Sequence, residues 1–142
     1  MAIESRADAV WHGNLMEGGG TVKPASGAFG ELPISWEKRA NNREGATSPE
    51  ELLGAAHAAC FSMALANGLT QGGHPPEQLA TSARVGFQAG QGITGIHLQV
   101  RGRVPGIDAG AFREAAEAAK SNCPVSKALT GVEITLEAEL EG

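Results

Sequence analysis

Cys60 and Cys123 are the two cysteines of the chain, and they are its strongest candidates for redox chemistry. Cys60 stands in the apolar segment Ala58-Ala59-Cys60-Phe61-Ser62, whereas Cys123 directly precedes a proline. A thiolate is the reactive form of cysteine, so either residue needs surroundings that favour its charge. Both can also be interpreted as inert, Cys60 as a small core hydrophobe and Cys123 as a loop cysteine beneath a helix junction. The sequence leaves these interpretations open and does not show that the two sulfurs meet.

The position of Cys60 in its predicted helix limits what could activate the thiol. The helix should start at Ser48 and Pro49, because serine is a good N-cap and proline suits the first helical position. Cys60 then lies about 16 Å beyond Pro49 at about 1.5 Å per residue, too far for the helix N-terminus to act on it. A nearby cation must act instead. His57 lies on the same side of the helix and could form a Cys–His dyad, but we expect a core histidine bonded to a backbone carbonyl.

Cys123 has a different predicted setting. Because Pro124 can open a short helical turn through Leu129, Cys123 would be the N-cap of that turn. Backbone N–H groups and the helix dipole there favour a thiolate, which suits a sulfur that attacks or leaves in disulfide exchange. Other chemistry is not indicated. The four histidines and two cysteines lack metal-ligand spacing, and neither a phosphate-binding loop nor a serine hydrolase elbow is found.

Hydrophobic periodicity and turn signals predict the elements that position these residues. Strands are predicted over 7–12, 21–24, 31–36, 83–88, 96–104 and 132–140. Helices are predicted over 49–69 and 111–121, with a helical turn over 124–129 and a loop over 37–47. This order predicts one α+β domain over 1–142, with an antiparallel sheet wrapped on a long buried helix and a shorter helix.

The run over 52–69 carries almost no charge, so this helix should be buried on most sides. A chain of 142 residues covers such a helix with difficulty, and a dimer that buries two of them together would solve the problem.

The net charge of −5 provides no basic footprint, so we expect no nucleic-acid partner. We see neither a secretory leader nor a stretch that approaches the roughly 18 apolar residues of a membrane span. We therefore expect a cytoplasmic protein without a membrane partner. Because the cytoplasm is reducing, a static structural disulfide is disfavoured there.

Two cysteine motifs resemble those of a known family. Residues 49–64, which read PEELLGAAHAACFSMA, resemble the signature helix of the OsmC/Ohr family, the osmotically inducible protein C and organic hydroperoxide resistance proteins. Residues 122–126, which read NCPVS, resemble the second cysteine motif of that family. Residues 104–108 and 11–13 look like the OsmC branch, and the likeness covers essentially the whole chain.

The resemblance implies an OsmC-like fold in an intertwined homodimer with active sites at the subunit interface. It implies a thiol peroxidase that reduces organic hydroperoxides without a metal or organic cofactor and is re-reduced by a lipoyl-type dithiol. Cys60 would be the peroxidatic cysteine, and Cys123 would resolve its sulfenic acid to an intramolecular disulfide. The arginine and glutamate of the family fall on Arg39 and Glu50, with Arg43 as the alternative arginine.

Elementary chemistry indicates what Arg39 and Glu50 would do in such a site. Arg39 would lower the pKa of the reactive thiol, and a carboxylate would fix the guanidinium through a bidentate pair. Glu51 is expected in a capping box with Ser48, which leaves Glu50 for that pair. Glu50 and Cys60 lie about 15 Å apart along one helix, so we expect Glu50 to serve Cys60 of the other subunit.

Three further expectations concern substrate and class. An apolar wall from Phe61 and Met63 would suit alkyl or aryl peroxides. One alternative function is a non-catalytic dimeric binding or interaction module of the same fold, with buried cysteines. Another is a hydrolase or transferase that uses Cys60 and His57 as a dyad.

Overall fold

The computed structural model describes residues 2–41 and 44–141, which form two compact units that meet in sequence at Leu52 and Leu53. The first unit contains β1 (Ala7–His12), β2 (Gly19–Pro24), β3 (Leu32–Ile34), α1 (Trp36–Ala40) and the start of α2 (Pro49–Gln71). The second contains the rest of α2, then β4 (Gln78–Gln88), β5 (Gly92–Arg103), α3 (Ala109–Asn122), α4 (Pro124–Ala128) and β6 (Ile134–Leu140). The predicted α+β class is confirmed, and the single domain over 1–142 stays a prediction.

The first unit is built on an antiparallel sheet in the order β1-β2-β3. The strand predicted over 31–36 is shorter than expected, because β3 ends at Ile34 and a helix follows where a loop was predicted. Ser35 caps that helix, α1, and its side chain accepts a hydrogen bond from the Lys38 N–H at 3.1 Å. A serine ahead of an amphipathic turn is an ordinary N-cap signal, so the sequence held this information.

Helix α2 begins as predicted at Pro49, behind Ser48. The Ser48 hydroxyl accepts the Glu51 N–H at 3.0 Å, which is one half of the expected capping box. The Glu51 carboxylate accepts a hydrogen bond from the Thr47 hydroxyl at 2.8 Å, whereas the box would place it on the Ser48 backbone. Glu51 is therefore occupied at the helix start, and Glu50 is left to face another partner.

The second unit contains a mixed sheet in the order β4-β5-β6, which corrects the expectation of an antiparallel sheet. Strands β4 and β5 form an antiparallel hairpin, but β6 pairs with β5 in parallel, from Ile96 opposite Ile134 to Gly102 opposite Leu140. Parallel neighbours require a long crossover connection. Helices α3 and α4 form this connection, and so Cys123 lies within the crossover.

The core of the second unit lies between α2, α3 and the sheet. Its buried apolar side chains are Phe61, Leu65, Leu69, Ile96, Leu98, Val100, Val104, Phe112, Ala116, Ala119 and Cys123. Glycine allows two close approaches in this layer. A Cβ at Gly54 would lie 3.3 Å from the Ala83 carbonyl oxygen, and one at Gly102 would lie 2.5 Å from the Phe112 ring.

Helix α2 is buried on one face only within the chain, contrary to the expectation of burial on most sides. Its other face exposes small and apolar residues, among them Ala55, Ala56, Ala59 and Met63, the last 73% exposed. The reason is that α2 is apolar on both faces while a single chain covers one.

With 23 residues the helix is also long and apolar enough to cross a membrane, which corrects our expectation that no stretch approaches that length. Core helices pass the same test, so this feature assigns no membrane.

Candidate active site

The fold brings Cys60 and Cys123 into contact, which the sequence could not show. Cys60 projects from the middle of α2 and is half-buried, and Cys123 lies between α3 and α4 with no exposed surface. The two thiols are free, and they share a hydrogen bond. Both pack against the core of the second unit. The site therefore holds a partly accessible sulfur directly beside a buried one.

The two sulfurs have opposite acid–base character. Burial raises the pKa of the Cys60 thiol, and the hydrogen bond with Cys123 raises it further, against a lowering contribution from the Val125 N–H. Burial also raises the pKa of Cys123, but hydrogen bonds from Cys60, from Ser126 and from the Val125 N–H outweigh it, so this pKa is lowered. Within this pair, the hydrogen bonds therefore favour charge on Cys123 over charge on Cys60.

The lowered pKa of Cys123 arises from its position in the chain. Cys123 is the N-cap of α4 with Pro124 at the first helical position, as the sequence predicts. The backbone N–H groups of Val125 and Ser126 have no partner within such a short helix, and they act on the sulfur. The Ser126 side chain adds a hydroxyl donor. Ser126 belongs to the NCPVS motif but was not predicted as a functional residue, although the third residue after an N-cap faces the cap.

His57 is a core residue, as expected, but its partner is a side chain and not a backbone carbonyl. The ring has no exposed surface, and its Nε2 atom lies 2.7 Å from the Ser126 hydroxyl oxygen. Its Nδ1 atom is buried and, within the described residues, has no hydrogen-bond partner. Burial lowers the pKa of His57. Because neither ring nitrogen is bonded to Cys60, the Cys–His dyad that the hydrolase alternative requires is not formed.

Arg39 and Glu50 form a bidentate ion pair in the first unit. Arg39 on α1 donates from Nε to Oε1 at 3.0 Å and from Nη2 to Oε2 at 2.7 Å of Glu50, in the first turn of α2. Hydrogen bonding to Glu50 raises the pKa of Arg39 above its ordinary value, although partial burial lowers it. The Glu50 side chain is 3% exposed and that of Arg39 is 31% exposed. Arg43, the alternative arginine, lies outside the described residues.

The remaining sequence expectations concern metals and the apolar wall. Within residues 2–41 and 44–141, no three side chains of histidine, cysteine, aspartate or glutamate are grouped so that they could hold a metal ion. Phe61 lies in the core with no exposed surface, so it cannot line a substrate surface as expected. Met63, on the exposed face of α2, is 73% exposed.

Comparison with known proteins shows to which family the chain belongs. A family model described as OsmC-like protein matches residues 41–137. The chain is 43% identical over 144 aligned positions to Peroxiredoxin OsmC of Escherichia coli, with 99% of each chain covered. It is 36% identical over 104 positions to organic hydroperoxide resistance protein OhrA of Bacillus subtilis, which covers 70% of this chain and 72% of that one.

A solved structure supports the fold. The crystal structure of an OsmC-like protein from Mycoplasma pneumoniae matches with a TM-score of 0.76 at 16% identity, and both chains are fully covered. At this identity the likeness shows the fold alone. With the family model and the full-length relative, it establishes that the chain belongs to the OsmC-like family.

Proposed function

We propose that this chain reduces organic hydroperoxides to alcohols through a sulfenic acid on Cys60 that Cys123 resolves. The Cys60 thiolate attacks the terminal oxygen of the hydroperoxide, so that a sulfur–oxygen bond forms and the O–O bond breaks. The alkoxide released takes up a proton and leaves as the alcohol. Cys123 then attacks the Cys60 sulfur, which forms the disulfide and releases water. The observation that carries this proposal is the contact between the two free thiols.

The different exposure of the two sulfurs supports this division of roles. Cys60 is half-buried and can meet a substrate, whereas Cys123 has no exposed surface. A buried sulfur beside the peroxidatic one is suited to intramolecular attack. The binding-module alternative assigns no role to this pairing, since inert core cysteines need not face each other.

Activation of Cys60 is assigned to Arg39 and Glu50 of a partner subunit in a homodimer. Within its own chain, burial raises the pKa of Cys60, so a cation is required to favour its thiolate. Glu50 and Cys60 are separated by about 15 Å along α2, so one small site cannot hold both from one chain. The exposed apolar face of α2 is the surface that a second copy would cover.

A mixed-dimer experiment tests this cross-subunit arrangement. Subunits with Arg39→Ala and subunits with Cys60→Ser are inactive as separate dimers if both residues are needed. Refolded together, they form mixed dimers in which one site combines wild-type Arg39 from one chain with wild-type Cys60 from the other. We expect peroxidase activity to return on mixing. Mixed dimers that stay inactive would place both residues in the same subunit.

The proposed reductant is a lipoyl-type dithiol, and the proposed setting is the cytoplasm. No metal or organic cofactor takes part, because the oxidising equivalents pass from the peroxide to sulfur and then to the dithiol. The relatives are named for peroxiredoxin and organic hydroperoxide resistance functions, which supports the substrate class. If hydrogen peroxide is reduced as efficiently as cumene hydroperoxide, the apolar surface near Cys60 does not select the substrate.

A thiol count tests the central chemistry. The reduced protein is treated with one equivalent of cumene hydroperoxide per chain, then its free thiols are titrated and it is run on a non-reducing gel. We expect two thiols per chain to disappear without a cross-linked band. If both thiols survive, the cysteines are core residues and the binding-module function replaces the peroxidase. Cys60→Ser is the control and should keep its remaining thiol.

A further inference from the structure

A line of buried side chains continues behind the two reactive sulfurs. His57 Nε2 lies 2.7 Å from the Ser126 hydroxyl, and both residues are buried. The Ser126 hydroxyl also hydrogen-bonds the Cys123 sulfur, which in turn contacts Cys60. Four side chains from α2 and the α3–α4 segment therefore form one continuous path, of which the steps proposed above use only the two cysteines.

The hydrogen bonds along this path have one direction. Serine carries a single hydroxyl proton, so it can donate to only one of its two partners. A thiolate has no proton to give, so when Cys123 is ionised the Ser126 hydroxyl donates to its sulfur. His57 must then donate its Nε2 proton to the Ser126 oxygen. The buried Nδ1 atom, which has no partner in the described chain, is left as the unprotonated nitrogen of the ring.

We propose that Ser126 and His57 are positioning residues that hold Cys123 as a thiolate facing Cys60, and so set the rate of disulfide formation. This inference rests on the proposed function. In that step the Cys123 sulfur attacks the sulfur of the Cys60 sulfenic acid, the S–S bond forms and the S–O bond breaks. The hydroxide that leaves takes up a proton from solvent and becomes water, which offsets the proton that Cys123 gave to solvent when it ionised.

The same arrangement favours re-reduction. An external dithiol reaches the half-buried Cys60 more readily than Cys123, so its thiolate attacks the Cys60 sulfur and Cys123 leaves. A leaving thiol with a lower pKa departs faster in thiol–disulfide exchange. The Ser126 hydroxyl therefore assists Cys123 both as attacking and as leaving sulfur.

Among the described residues, the charged side chains of the α3–α4 segment do not account for the lowered pKa of Cys123. Cys60 is the titratable group that hydrogen-bonds Cys123 from α2. On the α3–α4 segment, Lys120 is paired with Glu117 at 3.1 Å, and Lys127 is exposed. Burial lowers the pKa of His57, so its ring is neutral at neutral pH and carries the one proton that this direction requires.

The first test measures the pKa of Cys123 without any peroxide. In a Cys60→Ser background, the thiolate of Cys123 is titrated by its absorbance at 240 nm. We expect Ser126→Ala to move this titration to higher pH and Ser126→Thr, which keeps the hydroxyl, to restore it. A titration that Ser126→Ala leaves in place would overturn the proposal.

The second test separates resolution from peroxide reduction. With one equivalent of cumene hydroperoxide, Cys60 sulfenic acid is trapped with dimedone at timed intervals in wild type and in Ser126→Ala. We expect disulfide formation to slow about tenfold at neutral pH, as loss of one hydrogen bond to a charged group implies. The rate should recover as pH rises, while sulfenic acid forms at the wild-type rate. A slowing that is the same at every pH would indicate distorted packing and contradict the proposal.

The third test needs no measurement of activity. The nitrogen-15 shifts of the His57 ring in the reduced protein report which nitrogen carries the proton. We expect the Nε2-protonated form, and His57→Gln, whose amide can donate in place of Nε2, should retain the titration of Cys123. A proton on Nδ1 would reverse the direction and refute the inference. If no sulfenic acid forms in wild type, the proposed function fails while this result and the titration still stand.

Discussion

The Arg39 guanidinium donates hydrogen bonds to both oxygens of the Glu50 carboxylate, at 3.0 and 2.7 Å. Arg39 lies on α1 and Glu50 at the start of α2, so the pair fixes α1 against the first turn of the long helix. Because two parallel hydrogen bonds hold the planar guanidinium, its plane has a fixed orientation. The ion pair therefore sets the direction of the arginine charge as well as its place.

Replacement of Arg39 by lysine keeps the charge and removes this geometry. Lysine is a point charge and cannot make two parallel bonds. We expect Arg39→Lys to slow oxidation of Cys60 about a hundredfold, the typical cost of a lost preorganised donor, in single-turnover reactions with cumene hydroperoxide. Arg101→Lys is the matched control, because its pair with Glu139 at 3.2 Å is exposed. Equal rates for both variants would remove Arg39 from the site.

Exchange of each cysteine should stop the reaction at a different point. Cys123→Ser should still consume one equivalent of peroxide per chain and then accumulate Cys60 sulfenic acid, because no second thiol is available. Mass spectrometry after dimedone treatment would show one adduct per chain. Cys60→Ser should give no adduct. An adduct on Cys123 in that variant would mean that the lower pKa of Cys123 makes it the peroxidatic sulfur.

Close packing at Gly54 predicts a stability difference between two positions of one helix. A Cβ at Gly54 would lie 3.3 Å from the Ala83 carbonyl oxygen, whereas one at Gly68 would have no neighbouring side chain or strand within 4 Å. We expect Gly54→Val to lower the free energy of unfolding by about 1–3 kcal/mol through overpacking. Gly68→Val should change it by less than about 0.5 kcal/mol. Urea unfolding measures both, and similar losses would indicate that backbone conformation, not contact with β4, controls the result.

Burial of His57 predicts loss of stability in acid. Because burial lowers its pKa in the folded chain, the unfolded chain binds a proton first as pH falls through about 6.5, the ordinary histidine value. The free energy of unfolding should then fall by up to about 1.4 kcal/mol for each pH unit. His57→Gln should remove this dependence, and His12→Gln, on an exposed strand, should keep it. Urea midpoints between pH 7 and 5 decide the matter, and an unchanged slope in His57→Gln would disprove the assignment.

The sequence predicted well those features that depend on local signals. Ser48 and Pro49 marked the start of α2, and Pro124 marked Cys123 as an N-cap, because each signal involves residues within one turn. Alternation located the long strands for the same reason. The strand order and the parallel β6 depend on pairing across long distances, which periodicity does not encode.

Contacts in the site between residues that are far apart in sequence could not be predicted from local patterns. The contact of Cys60 with Cys123 and the bond from His57 to Ser126 each connect α2 to the α3–α4 segment. A buried histidine was expected to find a backbone carbonyl, but packing supplied a hydroxyl. Family resemblance nominated Arg39 and Glu50, and the structure adds their bidentate geometry.

The parallel pairing of β5 and β6 also sets the order in which the redox pair can assemble during folding. Cys60 is synthesised early, but its partner lies on the crossover between β5 and β6, whose final position requires that β6 pairs with β5. Pairing across such a connection is a slow, non-local step. An incompletely folded chain therefore carries a Cys60 thiol without a resolving neighbour, and oxidation at that stage can proceed past sulfenic acid to irreversible products. Docking of the last strand thus completes both the sheet and the protection of the reactive cysteine.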